Sequence, residues 1–268
     1  IEFPYVTKNI TIRIPSPPNT AVGFLANGGA TMRMYTAGAL TPFGNTSTDF
    51  TFANWMKAPS FVNNRQPLRL TNTGTVSSFR YQFRSTNSIR FTFQNLSTSV
   101  NTAPVVLTSP NDWHHYLVTQ ITGDIHVYID NQLVITRAKT DIDPLNDVNL
   151  PPNMGAGNLT EAVHDELSFW TTGMDADQAG ELYNSREWCD PLSHSLASNL
   201  EAWWTMGDFP GDSITGAGTI INDAALPEQD ISLYSTADAY KSFDAGPFAI
   251  TPTGKLRVHM LSTGSASG

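Results

Sequence analysis

The sequence has little of what disulfide scaffolds, cysteine-rich metal sites and membrane spans require. Its 268 residues include one cysteine, Cys189, which excludes an internal disulfide and a four-cysteine metal site. No run approaches the roughly 18 consecutive apolar residues of a membrane-spanning helix. Only 15% of residues are charged, against about 25% in an average globular protein, and serine, threonine and asparagine fill the deficit. This composition predicts a β-rich globular protein without membrane insertion.

Charge is unevenly distributed along the chain. The net charge is −9, which argues against nucleic acid as a partner. Residues 1–110 carry nine lysine and arginine residues against two acidic ones, whereas residues 111–268 carry six against 22. Either the two halves interleave in one fold and their fields partly cancel, or a basic surface meets an acidic surface of a neighbouring subunit.

Two runs of alternating apolar and polar residues predict a β-hairpin. The apolar positions are Phe79, Tyr81, Phe83, Ile89, Phe91 and Phe93. Pairing Phe83 with Ile89 keeps all of them on one face, whereas pairing Arg84 with Ile89 places a charge opposite an apolar residue. The other face then carries Arg80, Gln82, Arg84, Arg90, Thr92 and Gln94.

A second hairpin and one helix follow in the chain. Residues 113–120 and 125–130 form the hairpin strands, and the Asp-Asn pair at 130–131 turns the chain because both residues tolerate positive φ. Asp175 and Gln178 have the spacing of a capping box, which predicts a helix of about ten residues packed on a sheet. Many short strands and one short helix predict an all-β, antiparallel β-sandwich.

Both ends of the chain predict extended arms. Residues 1–20 contain four prolines, and residues 251–268 end in serine and glycine. Apolar and basic residues alternate over 255–261, so we expect one amphipathic strand there. Such a strand must add to a sheet edge, either of a neighbouring molecule or of its own sandwich.

Four motifs occur in the order found in the concanavalin A-like, laminin-G-like jelly-roll family, which the chain therefore resembles. They are FTFANWMK at 50–57, WHHYLVT at 113–119, VYIDN at 127–131 and DELSFW at 165–170, the last followed by ELY at 181–183. The resemblance implies a jelly-roll sandwich. It divides the chain into an N-terminal extended arm (1–20), a jelly roll (21–190) and a C-terminal continuation of the sandwich with an extended tail (191–268).

A second resemblance suggests where the protein acts. The stretch HSLASNLEAWWTMGD at 194–208 is similar to a continuation in laminin-G-like proteins of tailed-phage virions. It implies a non-enzymatic structural protein on a viral particle surface, of decoration, fibre or collar type. Its partners would be other virion proteins, further copies of itself and host surface polysaccharide. The alternative is a secreted or cell-surface lectin-like module that binds carbohydrate reversibly, and four Asn-x-Ser/Thr sequons fit secretion.

The sequence contains no His-Glu-x-x-His zinc-protease motif and no Gly-x-Ser-x-Gly nucleophile elbow. Glucan hydrolases of this superfamily carry a Glu-x-Asp-x-(x)-Glu strand that puts nucleophile and acid on one face, and nothing here matches it. Adjacent residues of a strand point to opposite sides, so Asp165 and Glu166 cannot form that pair, and His114 and His115 cannot share a metal ion. We therefore expect no catalytic residue and no enzymatic activity.

The resemblance implies one candidate metal ligand, Asp165. In related jelly rolls an aspartate at this position helps to hold calcium, together with oxygens from an early acidic loop. That loop here has the sequence ANGG at 26–29, without an acidic residue, although calcium takes six to eight oxygen ligands. The alternative is that Asp165 accepts a hydrogen bond from loop backbone, and no other cofactor is expected.

Two features are candidates for binding a glycan or a protein partner. Trp55 is out of phase with the apolar residues of its strand, which predicts an exposed platform for a sugar ring, whereas Trp113, Trp170 and Trp203 are expected in the core. Guanidinium and amide groups spaced along adjacent strands suit acidic glycans or carboxylates, and the alternative is a solvated face or a subunit contact. These groups belong to Arg80, Gln82, Arg84 and Arg90.

Overall fold

Short strands separated by turns account for most of the described chain. The computed structural model describes residues 20–24, 33–35, 40–45, 48–58, 65–72, 77–85, 87–150, 162–186, 189–206, 219–220, 231–234 and 240–244. The strands are β1 (Thr20–Phe24), β2 (Arg33–Tyr35), β3 (Phe50–Lys57), β4 (Arg69–Thr71), β5 (Ser78–Ser85), β6 (Ser88–Gln94), β7 (Ser99–Asn101), β8 (Val105–Val106), β9 (His114–Ile121), β10 (Asp124–Ile129), β11 (Gln132–Ala138), β12 (Asp147–Leu150), β13 (Val163–Trp170), β14 (Leu200–Trp204), β15 (Thr219–Ile220), β16 (Ile231–Tyr234) and β17 (Tyr240–Asp244). The helix α1 spans Ala176–Tyr183, and short 3-10 helices span Lys139–Asp141, Asn184–Arg186, Pro191–Ser193 and Ala197–Asn199.

The strands form two antiparallel sheets. Sheet A has the order β11-β10-β9-β3-β13-β1-β17, with β14 also paired to β13, and sheet B has the order β15-β16-β2-β12-β4-β5-β6-β7, with β8 also paired to β6. The inner faces of the two sheets enclose one aromatic-rich core, which includes Phe52, Phe79 and Phe169. The predicted all-β antiparallel sandwich with one short helix is therefore confirmed.

The hairpin of β5 and β6 has the register that side-chain alternation predicts. Phe83 pairs with Ile89, and the pairs further along the hairpin are Tyr81 with Phe91 and Phe79 with Phe93. All six side chains are fully buried. Stacking of Phe79 on Phe91, with ring centroids 5.8 Å apart and an interplanar angle of 3°, fixes the pairing further.

The second hairpin also follows the sequence. Strands β9 and β10 pair, and the next turn holds Asp130 at φ 48° and Asn131 at φ 60°. Positive φ at both central residues matches the right-handed twist of the strands that the turn joins. Ile125, Val127 and Ile129 point into the core.

Helix α1 begins with the predicted capping box. The side chain of Asp175 accepts hydrogen bonds from the backbone N–H groups of Asp177 and Gln178, and the Gln178 side chain accepts one in return. The helix has eight residues rather than about ten, because Asn184 adopts the left-handed conformation and ends it. Its buried residues, Ala179 and Leu182, face sheet A.

Several predictions fall outside the described residues. These are the N-terminal arm up to residue 19, the loop at 26–29 and the whole tail at 251–268, with its predicted strand at 255–261. Thr20 belongs to β1, and strands β14 to β17 join the same two sheets as the rest of the chain. Within the part that the structure describes, no helix has the length and apolar composition to cross a membrane.

Candidate functional site

The outer face of sheet B carries a row of arginine and glutamine side chains. The register pairs Arg80 with Thr92 and Gln82 with Arg90, so these residues alternate with the core and point away from sheet A. On the other side of β5, Arg69 of β4 lies directly opposite Arg80. We call this surface the Arg–Gln face, and it comprises Arg69, Arg80, Gln82, Arg84, Arg90 and Gln94.

Two hydrogen bonds orient the guanidinium groups of this face. Nη2 of Arg80 donates to Oε1 of Gln94 at 2.6 Å, and Nε of Arg90 donates to Oε1 of Gln82 at 2.7 Å. Both acceptors are neutral amides, so the bonds hold the groups in place without neutralising their charge. All four side chains are partly exposed, and the structure thus brings the predicted residues together on one surface.

The arginines influence each other electrostatically. Burial lowers the pKa of Arg80 to about 10, and the positive charges of Arg69 and Arg90 contribute to this shift. Burial, together with the charge of Arg84, also lowers the pKa of Arg90. These groups remain protonated at neutral pH, and the face has a concentrated positive charge on a chain whose net charge is −9.

Arg69 is a member of this face that sequence reasoning missed. It lies on a strand of three residues, β4, which is too short to show an alternating pattern. Its place beside Arg80 depends on the pairing of two strands whose facing residues are about ten positions apart in the sequence. One carboxylate, Asp147 of β12, lies on the same side of sheet B, opposite Thr71.

Trp55 is buried, contrary to the exposed position that the sequence predicts. It does lie out of phase with Phe50 and Phe52, on the outer face of sheet A. However, its side chain is 4% exposed because Tyr183, the last residue of α1, stacks on it with ring centroids 5.9 Å apart. His115 packs beside it at 5.2 Å. We therefore do not include Trp55 in the candidate binding surface.

The three tryptophans that the sequence places in the core are found there. Trp113, Trp170 and Trp203 are buried, with exposed fractions of 4%, 0% and 2%. His114 and His115 point to opposite sides of β9, since His114 contacts Asp130 and His115 packs on Trp55. The two histidines therefore cannot bind one metal ion together.

The described residues around Asp165 do not by themselves form a calcium site. The Asp165 side chain is fully buried, and its Oδ1 accepts a hydrogen bond from the backbone N–H of Glu166 at 2.9 Å. Nε1 of Trp203 donates to Oε2 of Glu166 at 2.6 Å. Within the described ranges, no group of three or more histidine, cysteine, aspartate or glutamate side chains could hold a metal ion. Calcium takes six to eight oxygen ligands, and the loop at 26–29, which would have to supply others, lies outside the described residues.

A small cavity lies between the outer face of sheet A and α1. Its volume of about 20 Å³ is the space for a water molecule, and a sugar ring does not fit. Burial lowers the pKa of His115 to about 4, so the imidazole in the cavity wall is neutral at pH 7. The cavity is lined by Trp55, His115, Glu166, Ser168, Leu182, Cys189 and Pro191.

Comparison with protein families identifies the fold family. The family model described as the concanavalin A-like lectin/glucanases superfamily matches residues 28–179, which is more than half of the chain. The chain belongs to this superfamily. The matched range includes the whole Arg–Gln face. No curated protein matches the sequence.

Solved structures show the same superfamily fold at low sequence identity. A candidate carbohydrate-binding protein from Bacteroides ovatus superposes with a TM-score of 0.53 and 14% identity, over 85% of this chain and 60% of that protein. The chain thus spans less than two thirds of the length of that protein. A heptameric SAP-like pentraxin from Limulus polyphemus (TM-score 0.44, 12% identity, 62% of this chain and 82% of that one) is similar to a lesser degree. The binding domain of botulinum neurotoxin serotype G is also similar to a lesser degree, with a TM-score of 0.41 and 15% identity over 52% of this chain and 36% of that one.

Proposed function

We propose that this chain is a carbohydrate-binding module without catalytic activity, and that the Arg–Gln face is its binding surface. The observation that carries the proposal is a row of hydrogen-bonded guanidinium and amide groups on the outer face of one sheet of a lectin-like sandwich. The fold is shared with a candidate carbohydrate-binding protein, which supports the class of ligand.

The chemistry of the face suits sugar hydroxyl and acid groups. Arginine provides five N–H donors in a fixed plane, and glutamine provides both a donor and an acceptor. Arg80 and Arg90 are already oriented by Gln94 and Gln82, so less side-chain entropy is lost when a ligand binds. Pre-oriented polar groups on a rigid sheet are what reversible recognition of a polyol requires.

The buried carboxylates support a non-catalytic assignment. Glycoside hydrolases need two carboxyl groups that flank an accessible glycosidic bond. Asp165 is fully buried, and Glu166 is bonded to Trp203 next to a cavity of about 20 Å³. Neither carboxyl group can flank a glycosidic bond in this arrangement.

A glycan array tests the proposed function. We expect the wild-type chain to bind a subset of glycans, and the Gln82→Ala/Arg84→Ala variant to lose at least about tenfold in affinity. Arg137→Ala is the matched control, because Arg137 is a half-exposed arginine on β11 of the other sheet, paired with Asp141. Equal binding by all three proteins, or binding of no glycan by the wild-type protein, contradicts the proposal.

A structural function on the surface of a tailed-phage particle stays a prediction. It rests on the resemblance at 194–208 and on the composition of the two arms. A virion protein that adheres to host polysaccharide would use the same binding face, so the two functions are compatible. Mass spectrometry of purified particles tests the virion assignment, which fails if the chain is missing from intact particles.

A further inference from the structure

We propose that the Arg–Gln face selects anionic glycans, that is, polysaccharides that carry several sulfate or carboxylate groups. This inference rests on the proposed function and names the class of ligand. Three observations carry it. Positively charged side chains lie directly opposite each other on neighbouring strands, and the glutamines that orient the guanidinium groups are neutral. The row of charged groups is also longer than a single small anion.

Like charges on neighbouring strands repel each other. The Cβ atoms of directly paired residues are about 4.5–5.5 Å apart, and a like-charge pair at this distance destabilises a sheet. Arg69 and Arg80 form such a pair, and the charges of Arg69 and of Arg90 on the next strand add to the effect of burial in lowering the pKa of Arg80. Strands β5 and β6 contain no acidic residue, and Asp147, the carboxylate described above on this side of sheet B, lies on β12, two strands away from β5.

The hydrogen-bond partners described above leave this charge in place. Gln94 and Gln82 orient Arg80 and Arg90 but are neutral. A sulfate or carboxylate group accepts two parallel N–H bonds from a guanidinium group, and the charge makes these bonds stronger than neutral ones. An anionic ligand would therefore relieve the repulsion and complete the hydrogen bonds, whereas a neutral sugar would do only the second.

The length of the row indicates a polymer rather than a single ion. Arg80 and Arg84 are four residues apart on β5, which corresponds to roughly 13 Å along the strand. Val106 lies on the same side of sheet B, opposite Ser88, and is 66% exposed. It offers apolar contact for the C–H groups of a sugar ring beside the charged groups.

Surface plasmon resonance on the full chain tests the selectivity. The immobilised probes are heparin for sulfate, polygalacturonate for carboxylate and dextran as a neutral polysaccharide. We expect binding to at least one anionic polymer at least about tenfold tighter than to dextran, weakening as salt rises from about 0.05 M to about 0.5 M because exposed charges are screened. A chain with net charge −9 is repelled overall by such polymers, so binding would report a local basic surface.

Charge-removing and charge-conserving variants test whether Arg84 and Arg90 bind the anionic polymer. Arg84→Gln/Arg90→Gln is expected to lose about tenfold or more in affinity for the anionic polymer, and Arg84→Lys/Arg90→Lys, which keeps the charge but not the two parallel N–H bonds, to lose less than the glutamine variant but more than the control. Arg137→Gln, an arginine on the other sheet, is the control and should bind like the wild-type protein. Near-ultraviolet circular dichroism checks that each variant is folded.

The outcomes separate this inference from the proposed function. Tighter binding to neutral glycans than to anionic ones overturns the anionic selectivity but leaves carbohydrate binding intact, whereas binding of no glycan overturns both. Equal competition by single-stranded DNA shows a general polyanion surface and contradicts glycan selectivity. If the Arg84→Gln/Arg90→Gln variant changes oligomeric state on a sizing column, the face is a subunit contact and the inference is wrong.

Discussion

Nδ1 of His114 lies 2.6 Å from Oδ2 of Asp130, while its Nε2 lies 2.9 Å from the carbonyl oxygen of Ser109. Both ring nitrogens face an acceptor, so the protonated imidazolium satisfies both contacts by donating twice. The backbone N–H of His115 donates to the other carboxylate oxygen of Asp130 at 2.9 Å. This pair ties the start of β9 to the turn that follows β10.

The pair makes stability depend on pH in a defined direction. Burial lowers the pKa of His114, but the hydrogen bond and charge of Asp130 outweigh it and raise the pKa above 6.5. The stabilisation that the protonated His114 gives to the folded state is fully present below pH 6.5 and is lost as the pH rises through the raised pKa of His114. Burial raises the pKa of Asp130, but hydrogen bonds from His114 and His115 bring it below 3.8. The stabilisation that the ionised Asp130 gives to the folded state is present above pH 3.8 and is lost as the pH falls through the lowered pKa of Asp130.

His114→Gln should therefore destabilise the protein most in mildly acidic solution. We expect the free energy of unfolding to fall by about 1–3 kcal/mol near pH 5 and by less near pH 9, as measured by urea denaturation. His126→Gln, at a partly exposed position on β10, serves as the control. An equal loss at both pH values for His114→Gln would show that the charge of the pair does not contribute.

Tyr81 is a fully buried residue whose hydroxyl has no hydrogen-bond partner among the described residues. Tyr81→Phe removes only that hydroxyl, so stability should stay unchanged or increase by up to about 1 kcal/mol. Tyr81→Ala leaves a cavity between Phe91 and Tyr116 and should cost about 3–5 kcal/mol. Chemical denaturation of the two variants gives both values.

Arg84→Ala is the comparison for Tyr81 in the same strand. Arg84 points to the outer face, where a substitution usually changes stability by less than about 0.5 kcal/mol. A loss for Arg84→Ala as large as that for Tyr81→Ala would contradict the register of β5. A loss above about 1 kcal/mol for Tyr81→Phe would show that the hydroxyl does have a partner.

The β5–β6 hairpin shows what the sequence alone can predict. Side chains alternate between the two faces of a strand, so each strand can present only one of two sets of residues to the core. A slip that places Arg84 opposite Ile89 is unfavourable, and the register therefore follows from the local sequence. The four central members of the Arg–Gln face follow from the same alternation. Local pattern was sufficient here because both strands are long and one face is fully apolar.

Trp55 and Arg69 show what the sequence alone cannot predict. The phase of Trp55 is correct, but its burial depends on Tyr183, which is 128 positions further along the chain. Arg69 joins the Arg–Gln face through a strand of three residues, in which no period can be recognised. Both depend on tertiary contacts, which local pattern does not encode.

Gly173 lies against the backbone of β9 after the end of β13. A Cβ atom at this position would be 2.3 Å from the carbonyl oxygen of Gln120 and 2.8 Å from Cβ of Ile121. Neither neighbour can move without displacing the strand, so Gly173→Ala should cost about 1–3 kcal/mol or more in thermal denaturation. The same change at Gly180 is the control, because its nearest neighbour at 3.0 Å is the Asn131 side-chain amide, which can rotate. Comparable losses at both positions would contradict this explanation.

The capping box of α1 keeps the helix over the buried face of sheet A. Oδ1 of Asp175 accepts from the backbone N–H groups of Asp177 at 3.0 Å and Gln178 at 2.9 Å. Asp175→Ala removes both bonds and should cost about 1 kcal/mol, which corresponds to about fivefold faster amide hydrogen exchange in α1. Asp175→Asn keeps an oxygen acceptor in the same place, so its exchange rates should stay close to those of the wild-type protein. If Asp175→Asn exchanges as fast as Asp175→Ala, the negative charge at the helix N-terminus stabilises α1 and the hydrogen bonds do not.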